Sequence, residues 1–322
     1  MKIAEIDELR KVMGTLPSTT PKKITVLIRG CEKVKVDLLD TNINPYKSIV
    51  AASTATWGDD LYLNKWTQLT PQNRFIVVLA AITGNVLPQA LESVTFTFSV
   101  KNVPRHCFDQ HARARIGTAF YSIGSRDNNK LDASFILYTK LYDKVMKNPQ
   151  LYKQITEIKD IYESILDDGK GSWQIARAVL PMCYHHPYHF SSNYLALQGQ
   201  SANRMKFCEE EFICAVFWCI REEVKKKFPL LAEYLRPGCD KSKSCQYSKL
   251  YTLSNVFGCL FAGCGRWPAN TQYSTFNESC TDVIELEKQL KFHINRPTEW
   301  FNYDENSYEL LSDIDKKLFE ES

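Results

Sequence analysis

The stretch V94-TFTFSVKNVPRHCFDQHARARIGTAFYSIGS-R126, residues Val94 to Arg126, decides how the chain is read. Its first part alternates strictly: Phe96, Phe98 and Val100 point one way, Thr95, Thr97 and Ser99 the other. That period of two belongs to a half-buried strand. Asn102 breaks it, and Pro104 suits a first helical turn, where a missing N–H costs nothing. The spacing predicts a helix carrying Arg105, His106, Gln110, His111, Arg113 and Arg115, with Gln110 and Arg113 on one face and Arg115 on another. The small, polar run Ser122-Ile-Gly-Ser-Arg126 closes the segment. Guanidinium groups, an amide and hydroxyl or backbone donors make a cradle for a phosphate and a planar base.

Composition sets the frame around that stretch. At 322 residues the chain is long enough for a substantial core in one large domain or two smaller ones. A net charge of +3 does not argue for nucleic acid, and leaves room for a local basic pocket holding a small anion. No apolar run approaches the roughly 18 residues of a membrane span. The N-terminus MKIAEIDELRKVM is charged throughout, has the stripe Ile3, Ile6, Leu9, Met13 of a short helix and lacks a signal-peptide core, so a cytoplasmic location is expected. The 11 cysteines include no CxxC pair, which favours reduced thiols. Cys208, Cys214 and Cys219 fall in an apolar helical pattern, as small hydrophobes would. The five from Cys239 to Cys280 match no common zinc module, and no metal site is expected.

Residues 23–38 read as two strands around Gly30, and a helix follows Pro45. Thr70-Pro71 is an N-cap followed by proline at the first helical position, opening a helix that stops at Gly84. Residues 131–168 are helical in pattern, and the cluster Asp167-Asp168-Gly169 with Gly171 makes a loop. Trp173–Leu180 reads as a short helix, and 183–193 (CYHHPYHFSSN) as an aromatic, His-rich connector. His185, His186 and His189 suit aromatic packing better than a metal. Ser201–Lys227 reads as the longest helix, with Glu209–Glu211 as helix-start electrostatics on a solvated face. Residues 236–322 change character, with more Cys, Ser, Asn and Tyr and then an acidic helical tail. The division expected is 1–235, a catalytic domain, and 236–322, a C-terminal extension.

The order strand, helix, Arg113-Ala114-Arg115, then Ser125 and Arg126 resembles the flavin-dependent thymidylate synthases, whose signature is Arg-His-Arg, seven residues, Ser, and Arg two further on. Here Ala114 stands for the signature His, and the spacing to Arg126 is one residue longer. ARAVLP (Ala176–Pro181), then Asn193 and Arg204, is similar to the family's second region. The matches span residues 45–235. The resemblance implies an α/β (α+β) fold with a central sheet and long helices, assembled as a homotetramer with sites where subunits meet. It implies that Gln110, Arg113, Ser125, Arg126, Arg177 and Arg204 bind the nucleotide. Arg113, Arg115 and Arg204 would carry the catalysis, and Arg113, Arg115 and Asn193 would hold the flavin. The activity implied is conversion of dUMP to dTMP with methylenetetrahydrofolate, FAD and NADPH. On the flavin side Ser93, Ala114, Leu195, Gly199 and Cys208 depart from the family's residues. That asymmetry keeps open a diverged enzyme that methylates or hydroxymethylates dUMP or dCMP, or an inactive nucleotide-binding protein. A nucleic-acid-binding module is disfavoured by the low charge and the lack of a basic stripe with interleaved aromatics.

Overall fold

A computed structural model describes residue 23 and residues 26–55, 62–122, 124, 129–167, 172–206, 210–238 and 300–321. The expected N-terminal helix, the Asp168–Gly171 part of the loop, Ser125, Arg126, Cys208 and the five cysteines of 239–280 lie outside the described residues. In chain order the elements are β1 Leu27–Arg29, β2 Lys35–Thr41, α1 Pro45–Thr54, α2 Tyr62–Gln68, α3 Pro71–Thr83, β3 Thr95–Lys101, α4 Arg105–His111, β4 Thr118–Ser122 and β5 Phe135–Leu137. There follow α5 Thr139–Lys147, α6 Pro149–Asp167, α7 Ser172–Ala176, β6 Tyr188–Asn193, α8 Tyr194–Arg204, α9 Glu211–Lys225, α10 Pro229–Glu233 and α11 Asp313–Glu320.

The central sheet is antiparallel, in the order β2-β3-β6-β4. Along β3 Phe96, Phe98 and Val100 are fully buried as the alternation predicts, while the other face runs from exposed Thr95 through half-buried Thr97 to buried Ser99. Register carries the alternation across the sheet, placing Phe98, Phe190 and Phe120 in one row of the inner face. Phe98 stacks on Phe190 at 5.2 Å. One row on, the same face turns polar, with Ser192 between Phe96 and Thr118. Helix α9 packs beneath β2, its Phe212–Ile220 run buried on every side.

Local signals explain the helices that were legible. Thr70 caps α3 by accepting from Asn73 N at 3.2 Å, and Gly84 ends it at φ 77°, a left-handed cap that suits glycine. Asn44 caps α1 ahead of Pro45. Other elements depart from the sequence reading. Residues 27–29 and 35–41 are strands, but β1 pairs in parallel with β5 rather than with β2. The region 131–168 is not uniformly helical. Phe135-Ile136-Leu137 is too short and wholly apolar to show a period, and forms the buried β5. Asn148 then ends α5, and its side chain accepts from Gln150 N and Leu151 N at the start of α6. The segment 183–193 is no mere connector: Tyr188–Asn193 is β6, at the centre of the sheet.

Nor is Ser201–Lys227 one helix. Helix α8 ends at Arg204, and Glu210 starts α9 by accepting from Phe212 N at 3.1 Å and Ile213 N at 2.9 Å. Among the described residues the longest helix is α6, with 19 residues. Glu211 does not lie on a solvated face. It accepts from Thr139 N at 3.2 Å, and burial raises its pKa to about 7. The acidic tail is likewise partly interior. Asp315 of α11 is fully buried, accepting from Leu230 N at 3.0 Å, from Ser312 Oγ and from the Tyr46 hydroxyl. Phe319 stacks on Tyr46 at 4.4 Å, so residues 300–321 complete the main core.

Candidate functional site

Helix α4 is shorter than its sequence suggests. It closes at His111, with Ala112 N bonding back to Phe108 O, so Arg113 and Arg115 stand on the segment beyond it. Gln110 and Arg113 therefore do not share a helix face. The chain then turns at Gly117 and enters β4, so the run from Ser122 begins as the end of a strand. Gly117 sits at φ +67°, and its carbonyl accepts from Asn193 N at 2.9 Å. A Cβ there would lie 2.6 Å from Asn193 Nδ2 and 2.8 Å from Ala196 Cβ. Only glycine allows this approach.

Asn193 ends β6 and caps α8, its Oδ1 accepting from Ala196 N at 2.8 Å. Its amide nitrogen packs against Gly117, and the residue also borders the adjacent cavity. From this cap one face of α8 runs along the 113–117 segment: Ala196, Gly199, Gln200, Asn203 and Arg204 follow one another at helical spacing. Between them lies an open cavity of about 700 Å³. Its lining includes Arg113, Ala114, Arg115, Ile116 and Gly117 on one wall and Asn193, Leu195 and the α8 face on the other. Glu92, from the turn Pro88–Ser93 before β3, also borders it. Three arginines against one carboxylate give the cleft a positive balance. A Cβ on Gly199 would meet nothing within 4 Å, so part of the cleft wall is bare.

Of the residues expected at the site, Arg113, Arg115, Asn193 and Arg204 come together here. Gln110, half-buried on α4, and Arg177, exposed on the turn Arg177–Val179, do not line this cavity. Ser125 and Arg126 lie outside the described residues. Sequence reasoning did not find Glu92, Gly117, Gln200 and Asn203 as site residues. The signal for Gln200 and Asn203 was their helical spacing from Ala196; Gly117 shows its need only once its backbone angle is known.

Behind the cleft the nearest titratable groups are held neutral by burial. Burial holds His111 down at about 3, with the Arg204 charge adding to the effect, so its imidazole is neutral. Burial also pushes the Cys107 thiol well up, and this fully buried side chain does not border the cavity. It is a poor nucleophile. Cys214 and Cys219 are buried, as small hydrophobes would be. His186 packs against Phe108 at 4.9 Å and Tyr184 at 5.7 Å, an aromatic role.

The model of the thymidylate synthase complementing protein family, Thy1, matches residues 37–230, more than half of the chain. The chain belongs to this family. Membership makes it a transferase acting on pyrimidine nucleotides. Two solved structures share the fold. One is a UMP/dUMP methylase, PolB, from Streptomyces cacaoi bound with 5-Br dUMP, at 18% identity and a TM-score of 0.51, covering 65% of this chain and 96% of that one. The other is PolB bound with 5-Br UMP, at 16% identity and a TM-score of 0.50, covering 65% and 95%. No curated protein matches the chain. The match takes in every residue of the cleft, from Glu92 to Arg204. No helix among the described residues is long and apolar enough to cross a membrane.

Proposed function

We propose that this chain transfers a one-carbon unit to C5 of a pyrimidine deoxynucleotide in the cleft between residues 113–117 and α8, with dUMP as the first substrate. The observation that carries the reading is the gathering of Arg113, Arg115, Arg204 and Asn193 around one cavity. Guanidinium groups hold a phosphate, and their N–H groups on a ring carbonyl oxygen draw electron density out of the ring. That PolB is a UMP/dUMP methylase supports a pyrimidine mononucleotide as ligand. The buried, protonated Cys107 has no part in activating the base, which suits a synthase that works without a cysteine adduct.

The donor set also fits a flavin dinucleotide. Arg113 and Arg115 suit its diphosphate, the Asn193 amide offers a donor, and the bare wall at Gly199 leaves room for a planar ring. Bound there, FAD reduced by NADPH would supply hydride. Methylenetetrahydrofolate would supply the carbon. The protein's own share is to hold the nucleotide through Arg113 and Arg204, orient it and keep its charge compensated.

A homotetramer is part of this reading, because Gln110 and Arg177 miss the cleft of their own chain. Ile116 (92% exposed) and Tyr121 (58% exposed), flanking the sheet edge at β4, support a further contact there. We assign catalysis to residues 1–235 in the cytoplasm, with 236–322 as an extension whose end returns to the core.

Ala114, Leu195 and Gly199 border the cavity where the family carries flavin-side residues. They favour a second reading, in which the chain modifies dCMP, leaves a hydroxymethyl group, or binds nucleotide without turnover. The visible spectrum of the purified protein, followed by turnover assays, separates these. Yellow protein that releases FAD on heating and forms dTMP from dUMP supports the synthase. Colourless protein that binds dUMP or dCMP with no flavin- or folate-dependent product overturns it.

A further inference from the structure

A single line of hydrogen bonds runs from the core to the cleft wall through His111. This residue is buried at the end of α4 and ringed by Phe120, Tyr188, Phe190 and Phe217, with ring centroids 4.9, 5.7, 4.7 and 5.1 Å away. A neutral imidazole carries one N–H and one lone pair. Both are in use: Nδ1 lies 2.8 Å from the Tyr188 hydroxyl, and Nε2 lies 3.2 Å from Gln200 Oε1. The amide carbonyl only accepts, so the proton sits on Nε2 and Nδ1 accepts from Tyr188. On the other arm of the same amide, Gln200 Nε2 donates to Thr118 Oγ1 at 2.8 Å. Thr118 in turn shares a 3.1 Å bond with Ser192 Oγ on the inner face of the sheet.

Gln200 is thus gripped at both ends while bordering the cleft. Rotating its amide by half a turn would keep the His111 bond only if the imidazole proton moved from Nε2 to Nδ1 at the same time. The amide nitrogen carries two protons, and Thr118 takes one. The first turn of α8 is capped separately, by Asn193. A fixed donor in the wall of a cleft is what recognition of an acceptor atom requires, because its orientation is set before the ligand arrives.

We propose that Gln200 reads the ligand: its second N–H, aimed by His111 and Thr118, donates to a ring carbonyl oxygen of a planar heterocycle. The pyrimidine of the nucleotide and the ring system of a flavin share that chemistry. The inference rests on the nucleotide reading of the cleft. The test titrates dUMP and, separately, FAD into the full chain by calorimetry, and records the melting temperature without ligand. Three proteins are compared: wild type, Gln200→Met, and the double variant His111→Phe with Gln200→Met.

Gln200→Met keeps the shape but strands the His111 N–H, so it melts lower and binds one ligand about tenfold more weakly. The double variant removes both partners of that bond and, because it also takes the acceptor from the Tyr188 hydroxyl, recovers part of the melting temperature. Its affinity for the same ligand stays about tenfold down, and the ligand affected names the heterocycle that Gln200 reads. Affinity that recovers together with the melting temperature would make Gln200 a purely structural residue and overturn the proposal. Unchanged affinity for both ligands in the single variant would do the same. Wild-type protein that binds neither ligand would instead remove the nucleotide reading, and this inference with it.

Discussion

Replacing Gly117 by alanine tests the construction of the cleft at its tightest point. The new methyl carbon would stand 2.6 Å from Asn193 Nδ2, 2.8 Å from Ala196 Cβ and 3.0 Å from Asn193 Cγ. The first neighbours to yield belong to the residue that caps α8 and to its first turn. A left-handed backbone at φ +67° costs alanine about 1–2 kcal/mol. Overpacking against the cap adds about 1–3 kcal/mol. The expected loss is about 2–5 kcal/mol, or roughly 3–7 °C in melting temperature for a chain of this size. Because Asn193 must move, affinity for dUMP and FAD falls with it. Gly199→Ala is the control on the same cleft. Its methyl meets nothing within 4 Å, and alanine is favoured over glycine inside a helix by about 0.5–1 kcal/mol. Thermal denaturation of both variants reads the difference. Gly117→Ala melting together with wild type would refute the packing described between the 113–117 segment and α8.

Two further outcomes follow from the core. The Glu211 carboxyl is raised by burial from 4.5 to about 7, so the folded chain keeps a proton that the unfolded chain releases between those values. Wild-type stability therefore falls as pH rises through that window. Glu211→Gln, which keeps the acceptor for Thr139 N, should gain on wild type from pH 4.5 to 7 and hold the gain above it. A melting-temperature difference that stays flat from pH 4.5 to 8 contradicts the burial of that carboxyl. Phe319→Ala removes a fully buried ring stacked on Tyr46 and should cost about 3–5 kcal/mol in a denaturant titration. A loss well under 1 kcal/mol would mean that α11 does not dock as described.

Legibility followed the length and chemistry of each signal. Strand β3 announced itself because six residues alternate without a break. Helix α3 did so because a threonine cap, a proline and a terminal glycine mark both ends. β4 and β6 did not, although they flank the cleft. TAFYS and YHFSSN mix hydroxyls with aromatics, and one inner-face row is Ser192 and Thr118. The arginines were found through their order in the chain, yet the helix that was to carry them stops at His111, so their relative orientation could not be read from a helical period. The Glu209–Glu211 run read as solvent-facing because its charge was visible and the burial of Glu211 was not. Gln200 joins His111 and Thr118 across 89 and 82 positions, a bond no local pattern encodes.

The central claim is that a pyrimidine nucleotide sits in the cleft under Arg204, and calorimetric titration of dUMP into wild type and Arg204→Ala addresses it most directly. Arg204 borders the cavity at the end of α8, and truncating a guanidinium bonded to a ligand costs about 2–5 kcal/mol, a loss of thirtyfold or more. The account predicts binding to wild type, binding weakened by at least that factor in the variant, and a melting curve that shows the variant folded. Equal affinity in the two proteins would take Arg204 out of the site and contradict the account.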